Sequence, residues 1–288
     1  MPRTVYFYLG VIIASWAANW PLMKLALGEV KPLTFVLLRL VGSLVLIAPV
    51  LLWRAGPLAP VRGERLGLMW VGLAQVAGFL VCSIMGLAIV PPGRAIVLAY
   101  TMPLWAIPIE RWLRPEPLGR FRLAGAALGF AGLILFMNPA LVDWGNRRAL
   151  AGNGLLLLAA ISWALGSCLY RRSRWRSSFW VQTYWQLAVS IIVVAALALP
   201  EAANAPMRWS PALVAILAYN CVVTTALGYF LWSKILTMMS AAVAGQVLAL
   251  TPIGGFVLST MIFGGAITTG IIVSIALIVA GIVLTLRA

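Results

Sequence analysis

Two tryptophans occupy the same tripeptide in distant parts of the chain, Ser15-Trp16-Ala17 and Ser162-Trp163-Ala164. Each lies in the middle of a long apolar run, where an indole offers a flat face for stacking and a single N–H donor. A tryptophan facing lipid favours the membrane interface, so one at mid-run packs inward, as cavity lining or as plain core. Asn19, Ser83, Tyr100, Ser167, Tyr219 and Gln246 also fall inside apolar runs, as do Gln75, Gln182, Gln186, Asn220 and Tyr229. Polar groups there are costly unless they meet a partner, so each is either a candidate ligand-binding residue or a bridge between helices. The chemistry these types offer is recognition. Aromatic faces, amides and hydroxyls suit a small amphiphilic molecule with an apolar body and self-compensating charges.

Bond-making chemistry is harder to assemble. The chain has no histidine, which removes the commonest general base and the commonest transition-metal ligand. Its six acids, Glu29, Glu64, Glu110, Glu116, Asp143 and Glu201, fall between apolar runs or at their ends. There is no glycine loop followed by Lys and Ser or Thr to cradle phosphates, and no nucleophile beside a base. Cys82, Cys168 and Cys221 lie within apolar stretches and read as small buried hydrophobes. Neither an enzyme nor a metal or cofactor site is expected. With no deep carboxylate, a proton relay is also missing, and the expectation is a facilitator that lets cargo run down its own gradient.

The elements that hold these residues read as membrane helices. Of the 288 residues, 63% are hydrophobic and 9% charged, with a mean hydropathy of +1.04, far more apolar than a water-soluble domain. A helix needs about 20 apolar residues to cross a hydrocarbon core of roughly 30 Å. Ten such runs are predicted, at 5–27, 33–53, 66–90, 95–113, 121–138, 153–170, 179–199, 210–233, 241–263 and 266–286. The links between them are too short for a soluble domain. The first run continues to Lys24 without a small-residue cleavage site, so it reads as a retained helix.

The net charge of +15 and pI near 11.1 would fit nucleic acid, but the basic residues cluster between apolar runs, as membrane topology requires. With the N-terminus inside, the inner segments hold fourteen Lys and Arg and the outer segments five. Both termini are therefore expected in the cytoplasm. Trp53, Trp112, Trp144, Trp175, Trp180 and Trp209 fall near run ends, as interfacial anchors do. Lys24 and Arg39 lie within runs. Lys24 reads as a snorkelling residue. Arg39 could pair with Glu29 or with a substrate carboxylate, and a structural role is favoured.

The halves resemble each other at an offset of about 148 residues. Besides the tryptophan tripeptides, Pro103 matches Pro252, and Ala131-Gly132-Leu133-Ile134-Leu135 matches Ala280-Gly281-Ile282-Val283-Leu284. The expected fold is all-α and integral to the membrane, with repeats at 1–144 and 145–288. Five runs per repeat is an odd number, so the repeats are inverted, an architecture that places a substrate site at their interface. Pro103 and Pro252 then become candidate hinges for opening to either side, or static kinks. Gly125 and Gly129, four residues apart, permit close helix packing.

Several motifs carry a family resemblance: Ser15-Trp16-Ala17-Ala18-Asn19, Leu38-Arg39-Leu40, Tyr100-Thr101-Met102-Pro103-Leu104, Glu110-Arg111, Gly125 to Gly132, and Ser162-Trp163-Ala164-Leu165-Gly166. Together they resemble the drug/metabolite transporter superfamily in its ten-helix EamA-type form, and within it the YddG-like aromatic amino acid exporters of bacteria. The resemblance implies a multi-pass transporter of the inner membrane, acting as a monomer by alternating access on amino acids or similar metabolites. Export of other metabolites or lipophilic cations, and a proton-coupled carrier, are the alternatives. In the family a Glu commonly follows a Phe-Gly pair after the ninth span, mirroring Glu110. Here the sequence reads Phe263-Gly264-Gly265-Ala266. Gly264 and Gly265 are thus candidate gating positions that lack the second acid.

Overall fold

The computed structural model describes residues 3–53, 58–113, 119–137, 145–203, 207–263 and 268–286. Among them all regular structure is helical. Helix α1 (Arg3–Ala26) turns into α2 (Pro32–Trp53), and α3 (Arg65–Val71) continues through a π-helical stretch, Gly72–Gly78, into α4 (Phe79–Ile89). Then come α5 (Pro92–Ala99), α6 (Met102–Leu113), α7 (Arg120–Met137), α8 (Arg147–Arg172) and α9 (Phe179–Ala203). Helix α10 (Pro211–Tyr219) passes through a second π-helical stretch, Asn220–Leu227, into α11 (Gly228–Met238). Helices α12 (Ala241–Leu248), α13 (Thr251–Phe263) and α14 (Thr269–Leu286) complete the chain.

The helix starts are written locally. Asn146, Ser210 and Ser240 accept the N–H of the residue three positions on, at 3.0, 3.0 and 3.2 Å, and so cap α8, α10 and α12. Two acids expected at run ends cap helices from a distance. Glu201 Oε2 accepts Leu33 and Thr34 N–H at 2.8 and 3.0 Å at the start of α2. The buried Glu64 accepts the backbone N–H groups of Arg176 and Ser177 ahead of α9. Negative charge is favoured at both places because unpaired N–H groups point there.

Among the described residues seven stretches are long and apolar enough to cross a bilayer: Thr4–Ala26, Pro32–Trp53, Arg62–Ile89, Arg147–Arg172, Phe179–Ala203, Pro211–Met238 and Ala241–Ile262. The three other predicted runs differ for physical reasons. Residues 92–113 are interrupted at Tyr100–Thr101 and carry Arg94, Glu110 and Arg111. The apolar parts of α7 and α14, Leu123–Phe136 and Thr269–Leu284, are shorter. The run 241–263 is interrupted too, at Ala249–Leu250. Pro103 and Pro252 are each the second residue of a new helix, α6 or α13, and Pro252 lies within the stretch Ala241–Ile262. A proline there gives up no intrahelical hydrogen bond.

Packing crosses between the halves. Helix α7 lies along α14, α2 along α9, α1 along α13 and α8 along α6. A Cβ on Gly281 would sit 2.6 Å from both Gly125 O and Gly129 N, so the α7–α14 contact tolerates no side chain there. The core is apolar, and so is much of the surface, with polar groups scattered inside. Phe7, Val45, Ile192 and Met261 are exposed, whereas Ser43, Gln75, Thr183, Asn220 and Thr224 are buried. Lipid must cover such a surface.

The charged and aromatic end residues sort differently from expectation. Lys24 does not simply snorkel, because its ammonium donates to the carbonyls of Leu87 and Val90 at 2.7 and 3.3 Å and closes the end of α4. Trp53, Trp112 and Trp209 are exposed. Trp175 instead stacks on Tyr170 and donates to its carbonyl at 2.8 Å, and Trp180 stacks on Phe230 at 4.1 Å. Trp144 lies outside the described residues.

Candidate functional site

On α1 the spacing Trp16, Asn19, Trp20, Met23 follows the helical repeat and places four side chains on one face. That face forms one wall of a small cavity, lined further by Arg39 of α2, by Phe79, Leu80 and Ser83 of α4, by Tyr100 and Met102 at the break, and by Trp163 and Tyr229. The two tryptophans of the repeated tripeptide meet there. Trp16 and Trp163 contact edge to face, with centroids 5.2 Å apart and planes at 90°. Trp163 also packs against Phe79, Tyr229 and Trp232 at 4.8, 5.6 and 5.5 Å. Trp16 Nε1 donates to the Thr224 carbonyl at 3.1 Å, within the second π-helical stretch, and this fixes the ring.

The polar groups of the cavity are incompletely matched. Arg39 is 4% exposed. Its Nε donates to Thr225 Oγ1 at 2.5 Å, and its Nη1 reaches only the Met23 sulfur at 3.7 Å. Among the described residues the one ion pair is Arg171 with Glu110, at 3.1 Å. It is a contact by distance, since neither atom has hydrogen-bond geometry. Arg39 therefore has no carboxylate within 4.0 Å among them, Glu29 included. Beside this buried guanidinium stand the Thr225 hydroxyl, the Met23 thioether, the Tyr229 phenol and the Cys221 thiol but no described carboxylate, and its planar fork can hold one in bidentate fashion. Asn19 supplies the opposite polarity. Its Nδ2 approaches Met23 Sδ at 3.5 Å, while its buried Oδ1 has no partner. Trp163 Nε1 is likewise buried without an acceptor.

Five of the eight predicted binding residues, Trp16, Asn19, Ser83, Tyr100 and Trp163, line this cavity. Ser167, Tyr219 and Gln246 do not. Ser167 accepts from Trp232 Nε1 at 3.2 Å, and Tyr219 donates to the Ser15 carbonyl at 2.7 Å; both tie helices together. Gln246 lines a separate cleft together with Pro103. Arg39, favoured as a structural charge, stands in the cavity wall, whereas Glu110 has the partner Arg171. Gly264 and Gly265 lie outside the described residues. Sequence reasoning left Trp20, Met23, Phe79, Leu80 and Met102 out of the site. Trp20 and Met23 had a signal, one helical turn beyond Trp16 and Asn19.

Helix α8 connects the cavity to a wider polar groove of about 880 Å³, where Tyr170 and Arg171 are joined by Ser177, Ser178 and Gln182. Along α8, Trp163 borders the cavity, Ser167 follows one turn on, and Tyr170 borders the groove. Trp163, with Trp232 packed on it, stands at the cavity end of this stretch of α8.

The comparisons with known proteins agree on class. The EamA-like transporter family matches at residues 4–138 and again at 150–287. A transporter of Bacillus subtilis, YoaV, is 23% identical over 95% of this chain and 94% of its own length. A probable amino-acid metabolite efflux pump of Salmonella typhimurium is 25% identical over 98% and 94%, and one from Escherichia coli is 25% identical over 90% and 86%. A solved structure superposes with a TM-score of 0.77 at 19% identity, covering 100% of this chain and 98% of the other, which speaks for the fold. Helices able to span a bilayer, a cavity in their midst and the family match lead to one conclusion: the chain belongs to the EamA-like transporter family and is a multi-pass membrane transporter.

Proposed function

We propose that this transporter exports small amphiphilic metabolites, aromatic amino acids foremost, by alternating access. The observation that carries the reading is the pairing of an acid-free Arg39 with the unpartnered Asn19 Oδ1 inside an aromatic wall. Arg39 receives the carboxylate, Asn19 Oδ1 the ammonium, and the Trp16, Trp20 and Trp163 rings the side chain. The names of the Salmonella and Escherichia relatives favour the same cargo class. A lipophilic cation fits less well, because Arg39 would repel it and no described acid lines the cavity.

The chain crosses a bacterial inner membrane ten times, as two inverted sets of five helices with both termini in the cytoplasm, and acts as a monomer. The family match at two successive stretches, the paired breaks near Tyr100 and Ala249, and the two π-helical stretches support this. The groove at Tyr170 and Arg171, among basic residues, is the cytoplasmic mouth, and the Trp163–Trp232 layer is the barrier cargo must pass.

The test is a reconstituted flux assay. Purified protein in liposomes preloaded with unlabelled tryptophan should accumulate labelled tryptophan by counterflow, with saturation. A pH gradient at fixed membrane potential should leave the rate unchanged, as expected of a facilitator. Counterflow with organic cations and none with amino acids would overturn the cargo assignment, and acceleration by the pH gradient would overturn the uncoupled mechanism.

A further inference from the structure

We propose that the cleft between α6, α7, α12 and α14 is a second binding site, for a single-chain amphiphile whose head group donates a hydrogen bond. The cleft is separate from the cavity described above. Its walls are apolar with one exception. Gln246 lines it, is 7% exposed, and keeps a buried Oε1 with no hydrogen-bond partner. An unpaired amide oxygen away from water is costly, and a hydroxyl or ammonium donor removes that cost. An apolar cleft with a single acceptor is complementary to an alkyl chain with a single donor.

Access and consequence both follow from the lining. Phe130 borders the cleft and is also exposed on the outer surface of α7, so the cleft adjoins the face that lipid covers. Pro103 and Ala249 border it too. These are the residues flanking the two helix breaks, so an occupant touches both interrupted helices at once. No charged residue lines this cleft, in contrast to the cavity with Arg39, so a zwitterionic cargo and this amphiphile do not compete for the same groups. Occupancy tunes transport by fixing the separation of the two breaks.

The probes are octanol and octane that each carry a diazirine, irradiated with the full chain in phosphatidylcholine nanodiscs and mapped by peptide mass spectrometry. Octanol adducts should concentrate on α7 and α14 around Leu133. Gln246→Leu, close in shape, should reduce octanol adducts about tenfold, the worth of one hydrogen bond, and leave octane adducts unchanged. Ala126→Phe should remove both by filling the cleft; if that variant fails to fold, Gln246→Leu decides alone. Adding lysophosphatidylethanolamine, a single-chain lipid whose head group is a donor, distinguishes the sources: competition identifies a membrane lipid as the occupant, and no competition a free amphiphile. Adducts spread evenly over exposed apolar residues, or octanol adducts unchanged in Gln246→Leu, would overturn the proposal.

Discussion

The Ser43 hydroxyl on α2 lies 2.9 Å from the carbonyl oxygen of Cys221 in the second π-helical stretch. Ser190 on α9 stands in the same relation to Gly72 in the first, also at 2.9 Å. Each hydroxyl is 2.7 Å from a carbonyl one turn back in its own helix, Arg39 for Ser43 and Gln186 for Ser190. A hydroxyl has one hydrogen, so each serine shares it between a carbonyl of its own helix and a π-helical carbonyl from the other half of the chain. The bond pattern repeats at the same offset as the tryptophan tripeptide.

Ser43→Ala and Ser190→Ala should therefore cost similar amounts, about 0.5–1.5 kcal/mol each, because each strips a buried carbonyl of its donor. Unfolding of the purified variants in mixed micelles measures this. A large cost at one serine and none at the other would break the equivalence of the two ties.

Arg39→Gln should lower tryptophan counterflow about ten- to a hundredfold, since a hydrogen bond to a charged group contributes about 1.5–3 kcal/mol. Tryptamine, which lacks the carboxylate, should be unaffected or improved. Equal losses for both molecules would mean that Arg39 holds the helices and not the cargo.

Trp163→Phe and Trp163→Ala separate packing from recognition. Trp163 Nε1 has no acceptor, so the Phe variant should keep most of the stability. Emptying the site with Ala should cost about 3–5 kcal/mol, as large core truncations do. Both should weaken aromatic cargo; unchanged transport in the Phe variant would remove the indole from recognition.

Gly281→Ala should destabilise by about 1–3 kcal/mol, because its new methyl would overlap Gly125 O and Gly129 N at 2.6 Å. Gly154→Ala, with nothing within 4 Å, serves as the control and should be neutral or stabilising in its helix. Thermal unfolding in detergent reads both.

Much of the helical layout was legible because a long apolar run between basic clusters has few readings in physical terms. The breaks were less so. Tyr100–Thr101 and Ala249–Leu250 sit in largely apolar surroundings, and Pro103 and Pro252, which read as hinges or static kinks, each stand second in the helix that follows a break. The π-helical stretches have no residue signature; they are visible only once Ser43, Ser190 and Trp16 are seen bonded to their carbonyls. Within the site, depth along a helix was legible and azimuth was not. Trp16 and Asn19 share a face with Trp20 and Met23, whereas Gln246, at a plausible depth, turns toward a different cleft.

The interruption between α5 and α6 has an electrostatic consequence. A continuous helix carries its partial charges at its two remote ends, but a broken one brings a negative C-terminus and a positive N-terminus together at mid-bundle. Tyr100, at the end of α5, and Met102, the first residue of α6, both line the cavity. The main chain itself thus places a small dipole of both signs beside the cavity, of the kind the zwitterionic cargo proposed above would meet. Side-chain substitution does not remove that dipole.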